Sequence, residues 1–370
     1  MRTSEPFALA RRRLSLGITN VGFWVLASVA ALGGLAGVPE GRSGSASPAM
    51  ALGIALGLGL AIVLVQAVFD FVGGFALIPT PHPRPWEFLR RWLRGIVAHS
   101  LVLAGVGLVG LMSLRWTGGF CVGLALSTVA LAVGRGLLHR MITGTAIREG
   151  TLEDGEPLLT TSVDDPAFTG GIVGFGRRAR SLWPAQWLET LPSAERVAES
   201  ARRRWHIAQG LPARAFLWAL LWNLLGSFLG TWAFQLADRP PGFALLGHAC
   251  WMTLWTFSSL LLMPSLSRGA VFAADRAAAD AGADPRGWIL LFPRLTGEDG
   301  SPRAAVQNIF YPIPSARMRL DRLAHPHTGF VAGNLARNNL YYSWAAFTLL
   351  GRAVHCNVGR PSLWVFPPSA

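Results

Sequence analysis

The sequence predicts a predominantly α-helical, polytopic membrane protein, with about six transmembrane helices and a small cytoplasmic α+β domain assembled from two separate segments. Three observations predict it. Of 370 residues 51% are hydrophobic, and the mean hydropathy of +0.39 is too high for a soluble chain of this length. Apolar stretches of spanning length recur, separated by two long polar segments. The formal charge is +13 and all 33 basic side chains are arginine. Those arginines gather where apolar stretches end, which is the positive-inside pattern rather than a nucleic-acid-binding surface.

Residues 1–13 form a basic arm ending in Arg11, Arg12 and Arg13. The apolar stretch 14–38 is longer than the core of a cleaved signal peptide and reads as the first span. A loop at 40–48, rich in Gly, Ser and Pro, lies outside. The second span, 50–77, stops at a run of prolines, and its Gly53 and Gly57 are a small-xxx-small pair expected to allow close helix approach. The loop carrying Arg84, Arg90, Arg91 and Arg94 faces the cytoplasm. Spans three (95–114) and four (118–138) form a hairpin about a tight turn at 115–118. At about 1.5 Å per residue, Asp70 in span two and Arg135 in span four fall in the cytoplasmic half of the bilayer. They either pair within the membrane or reach interfacial water separately.

The segment 141–211 is the first polar stretch long enough to hold structure. A turn beginning Asp165-Pro-Ala-Phe-Thr-Gly-Gly precedes an extended piece, Ser181-Leu182-Trp183. A helix follows over 194–209, with Ser193 as N-cap, Glu195 in its first turn, and Gly210 and Pro212 as stop signals. Span five (213–236) carries Asn223 and the close-packing pair Gly226 and Gly230, and span six (243–266) carries His248. Asn223 and His248 are expected to bond each other or backbone across the bundle. Span six runs on as a helix over 267–279. A later amphipathic stretch, 341–350, is too short to span and is expected to pack on the small domain or lie in the interface. Cys121, Cys250 and Cys356 are scattered and form neither a disulfide framework nor a zinc knuckle. The chain thus divides into a four-helix membrane region (1–140), a first cytoplasmic segment (141–211), a transmembrane hairpin (212–266) and a second cytoplasmic segment (267–370).

The helix leaving span six reads Ser267-Arg268-Gly-Ala-Val271-Phe-Ala-Ala-Asp275. It resembles the Ser-Arg-x-x-Glu-x-x-x-Asp helix of the membrane zinc metallopeptidases that include HtpX and the CAAX prenyl endopeptidases. The stretch Arg319-Leu320-Asp-Arg-Leu323 resembles that family's closing Arg-Ile-x-x-Leu signature. The helix over 194–209 falls where the family carries His-Glu-x-x-His, whose two histidines share a helix face and one zinc while the Glu serves as general base. The matching register here is Ala198-Glu199-Ser-Ala-Arg202. The resemblance covers about 164–323 and implies a peptidase-like domain with Glu199 at the general-base position. At the positions of the zinc ligands, Ala198, Arg202 and Val271 offer no lone pair.

The resemblance therefore implies a catalytically inactive pseudopeptidase without cofactor, binding a membrane-protein or peptide partner at the cytoplasmic face. In that case an extended peptide would lie along a strand edge near Ser181 to Trp183. Glu199 is also expected to make an i,i+4 ion pair with Arg203 on a solvated helix. One alternative is an active zinc endopeptidase drawing ligands from Glu199, His206, His325 and His327. Another is a membrane scaffold or small transporter working through Asp70, Arg135 or His248. The expected location is the plasma or inner membrane, with both termini cytoplasmic.

Overall fold

The computed structural model describes residues 5–35, 37, 47–78, 84–114, 119–152, 155–297, 304–325 and 329–367. The long helices are α1 (Glu5–Leu35), α2 (Pro48–Phe71), which continues through a π-helical turn Val72–Ala76, and α3 (Pro85–Ser113). Then come α4 (Phe120–Val133) and α5 (Arg135–Thr143), bent by 70° at Gly134. A small sheet follows, with strands β1 (Arg148–Thr151), β2 (Pro157–Thr161), β3 (Gly171–Val173) and β4 (Arg180–Pro184). After it come α6 (Ala185–Thr190), α7 (Ser193–Ala208), the hairpin of α8 (Leu211–Ala233) and α9 (Pro241–Asp280), and the short helices α10 (Pro285–Thr296), α11 (Ala304–Phe310), α12 (Ala316–Ala324) and α13 (Leu335–Tyr342).

Among the described residues five helices are long and apolar enough to cross a membrane, and six if the bent pair α4 and α5 counts as one span. Their outward faces are apolar: Leu60, Leu64, Val68, Leu221, Leu225 and Phe228 are all exposed. A contiguous exposed surface of this kind suits lipid rather than water. These features are those of an integral multi-pass protein. Ser47 starts α2 by accepting from the Met50 N–H at 3.2 Å, with Pro48 in the first turn. Pro85 and Glu87 lie in the first turn of α3, and Arg90, Arg91 and Arg94 lie on that helix rather than in a loop. Similarly Ser193 is the first residue inside α7, and Pro192 occupies the cap position.

Close helix approach occurs where small residues meet large neighbours. A Cβ on Gly226 or Gly230 would fall within 2.3 Å or 2.1 Å of the Trp255 and Trp251 indoles, and those indoles donate to the Trp222 and Gly226 carbonyls. Gly53 and Gly57 behave differently from expectation, since nothing lies within 4 Å of a Cβ at either. On that side α3 supplies the small residue instead, Gly107 against Ala55.

The strand order is β1-β2-β4-β3, with β2 and β4 parallel and the outer pairs antiparallel. Gly170, at φ +74°, lets β3 turn in beside β4; a Cβ there would sit 1.9 Å from the Leu182 carbonyl oxygen. Ser181 to Trp183 belong to β4, which is paired on both sides. The open edge expected there lies one strand away, on β3.

The largest departure from expectation is at the C-terminal end. Residues 335–366 neither cap the small domain nor lie on the surface; nearly all are buried among the long helices. From α13 the chain enters a 3-10 turn, Ser343–Ala346, and reverses at Phe347 (φ 58°), which packs in one cluster with Ala55, Leu103 and Leu245. It then returns as irregular backbone to Gly359, whose N–H donates to Asp70 at 2.9 Å. Non-helical backbone at this depth requires internal partners. They are present: Leu349 N–H donates to Thr253 Oγ1 at 3.0 Å, Asn339 to Ser259 at 2.7 Å and the Tyr341 hydroxyl to the Leu131 carbonyl at 2.9 Å.

Candidate functional site

The α7 sequence, with three consecutive arginines, reads as a solvated helix, yet its Ala198-Glu199-Ser200-Ala201-Arg202-Arg203 stretch is buried. The helix is packed against β4, α8, α9 and α10, so its charged side chains must satisfy one another internally. Glu199 does make its i,i+4 bond to Arg203, at 2.6 Å, but the side chain is only 1% exposed, so the expectation of a solvated pair is corrected.

Arg202 links α7 to α9. Its Nη1 donates to Glu199 and its Nε donates to Asp275 at 2.7 Å. Arg319, from α12, grips the same Asp275 with two bonds, of 2.8 and 2.7 Å. Arg203 further donates to the Leu182 and Thr169 carbonyls at 2.6 and 2.7 Å and lies over the Trp183 ring, tying the network to the sheet. Three guanidiniums and two carboxylates thus close one buried network. Burial alone would raise the Glu199 pKa; the guanidiniums of Arg203 and Arg202 more than offset that and hold its carboxyl below the ordinary range.

The remaining matched positions surround this network. Ala198 is fully buried in a cluster with Trp187 and Trp288, and Val271 is buried one helical turn before Asp275. Ser267 Oγ donates to the Met263 carbonyl and accepts from the Ala336 N–H at 3.0 Å, which fixes the start of α13. Arg268 donates to the carbonyls of Tyr311 and Gln307, fixing α11. These residues do not fit a zinc ion: alanine and valine have no donor atom, and a guanidinium places positive charge where the cation would sit. Among the described residues no group of three or more His, Cys, Asp or Glu is placed to share a metal.

His206 lies two residues after the last of the three arginines, lining a cleft with Glu199, Arg202 and Arg203. Burial, aided by Arg202, lowers its pKa to about 4. The folded protein therefore takes up fewer protons than the unfolded chain between the ordinary value of 6.5 and about 4. Stability contributed by neutral His206 is complete above 6.5 and declines as pH falls through that window. Thermal melting in detergent is expected to show this decline, and His206→Gln to flatten it until the carboxylates begin to protonate; an unchanged slope would remove His206 as its source. His325 is exposed and pairs with Asp321 at 3.5 Å, while His327 lies outside the described residues.

The intramembrane polar residues are rearranged relative to expectation. Asp70 and Arg135 do not pair with each other, and neither reaches out to water for its partner. Asp70 is fully buried and accepts from Arg352 at 3.2 Å, Trp92 at 3.0 Å and the Gly359 N–H. Arg135 donates to the Val365 carbonyl at 2.9 Å and lies over the Tyr341 and Phe366 rings. Asn223 and His248 do not bond; among the described residues the Asn223 amide has no partner, and His248 stacks on Phe120 at 4.1 Å. Both true partners, Arg352 and the ring pair, come from the C-terminal segment. Glu156 was also missed: it accepts from Ser200 and pairs with Arg204 at 3.1 Å, bringing β2's approach to the same helix. Comparison with protein families, curated proteins and solved structures gives no match for this chain.

Proposed function

We propose that this chain is a catalytically silent relative of the membrane zinc metallopeptidases, a pseudopeptidase that binds a protein or peptide at the cytoplasmic membrane face. The observation that carries the reading is Arg202. It stands at a zinc-ligand position and joins Glu199, the general-base position, to Asp275 of the Ser-Arg helix. A carboxylate held between two guanidiniums is a poor base toward a water molecule, because its lone pairs are already engaged. The retained positions Ser267, Arg268, Asp275 and Arg319 all make buried structural bonds, as expected of a scaffold kept after its chemistry was lost.

The surface left for a partner is the edge of β3, which borders the cleft beside α7. An extended peptide adds to such an edge through main-chain bonds. The arginine distribution at span ends supports a plasma or inner membrane topology with both termini inside. The test is the zinc content of the wild-type protein, purified in detergent without added metal, by elemental mass spectrometry. Far less than one zinc per chain is the expected result; near-stoichiometric zinc in folded protein would favour the active-peptidase alternative and sink this one.

A further inference from the structure

The cleft beside α7 carries more positive charge than its own carboxylate neutralises. Among the described residues, Arg135, Arg202 and Arg203 line it against one carboxylate, that of Glu199. Arg203 and one end of Arg202 already use that carboxylate. Asp275, behind them, is shared by Arg202 and Arg319. Among the described residues Arg135 meets only neutral acceptors, the Val365 carbonyl and, at 3.5 Å, the Asn338 amide oxygen. Arg202 Nη2, on a side chain 1% exposed, has no acceptor among the described residues. A buried guanidinium nitrogen without an acceptor is costly, so an incoming oxyanion would complete this arrangement.

The facing wall has a different character. It is the edge strand β3 with its flanking Gly170, Gly171 and Gly174, and the side chains of Ile172, Phe175 and Phe366 make it largely apolar. The enclosed space, ≈ 90 Å³, is enough for a carboxylate group, and the rest of a peptide would lie outside it along the strand edge. Main-chain bonding along β3 would set the ligand's backbone in register, and side chains pointing inward would meet the arginines. We infer that the cleft selects an extended peptide bearing a carboxylate, seated between Arg135 and the unused end of Arg202. The peptide backbone in this inference rests on the pseudopeptidase reading; the charge selection rests on the arginines and stands apart from it. Guanidinium–carboxylate bonding supplies both the strength and the discrimination against the uncharged amide.

The test uses the full-length protein in detergent micelles and two pools of random hexapeptides, one acetylated and amidated at its ends, the other with a free carboxyl terminus. Bound peptides are identified by mass spectrometry. Enrichment of Asp or Glu at a fixed position in the capped pool assigns a side-chain carboxylate, and preference for the uncapped pool assigns a terminal one. For a selected peptide, Arg135→Gln is expected to weaken binding about tenfold, or about 1.4 kcal/mol, and Arg135→Lys to retain most of it. Retention of neither pool, retention without acidic or terminal preference, or an Arg135→Gln protein with unchanged preference would overturn the inference. Acidic selection that persists while zinc cannot be restored to the site would leave the anion cleft standing and remove only the peptidase ancestry.

Discussion

Asp275→Ala is expected to destabilise the protein by about 3–5 kcal/mol, the usual effect of removing one partner from a buried ion pair. Asp275 is the only carboxylate that Arg319 reaches in the network and one of two that Arg202 reaches. Without it, Arg202 and Arg203 would share Glu199, and Arg319 would keep no carboxylate of the network. A loss of that size is a large fraction of the roughly 5–15 kcal/mol that holds a typical domain together. The α7–α9 contact, and with it the docking of α12, should open. Melting in detergent and protease cleavage around α12 would register it. Asp275→Asn, which keeps the shape and loses the charge, should fall between wild type and alanine. Equal stability of all three proteins would mean that the network contributes nothing to the fold.

A comparable effect is expected from Asp70→Ala, which ties α2 to the C-terminal segment. Asp70 neutralises Arg352, which is 2% exposed, and also accepts from the Trp92 indole and the Gly359 N–H. Its removal strands a charge and two donors inside the helical bundle, again an effect of about 3–5 kcal/mol. The C-terminal hairpin should detach, since both Arg352 and the Gly359 N–H that Asp70 holds belong to it. Increased protease cleavage within 335–367 is the measurement. The double variant Asp70→Asn with Arg352→Met removes both charges together and should recover much of the loss. A segment that stays protected in Asp70→Ala would show that apolar packing of Phe347 and Trp364 holds it alone.

The spanning helices were legible because a run of about 20 apolar residues has few other uses. The bend at Gly134 and the helical start of α3 within a basic stretch were not, since neither leaves a mark in the hydropathy pattern. β1 and β3 are only four and three residues long and contain Gly, Glu and Thr, so they carry no alternating pattern to read. In the site, Glu199, Arg202 and Asp275 were singled out by the resemblance, and the structure brings the three together. Their burial was not legible, because three arginines in succession imply solvent unless the facing carboxylates are known. The C-terminal hairpin was the hardest to foresee. Its apolar stretch is short, and its ionic partner, Asp70, lies 282 residues away from Arg352.

The central claim is that positions 198, 202 and 271 are those of a lost zinc site. The most direct test restores it, with Ala198→His, Arg202→His and Val271→Glu in one protein. Removing Arg202 leaves Glu199 with Arg203 and Asp275 with Arg319, so each remaining carboxylate keeps one guanidinium. Three ligands with one open position make a catalytic zinc site. Elemental mass spectrometry of the folded triple variant is expected to give about one zinc per chain, with the wild type near zero. A triple variant that melts like wild type and binds no zinc would contradict the shared geometry, and with it the relationship to the peptidases.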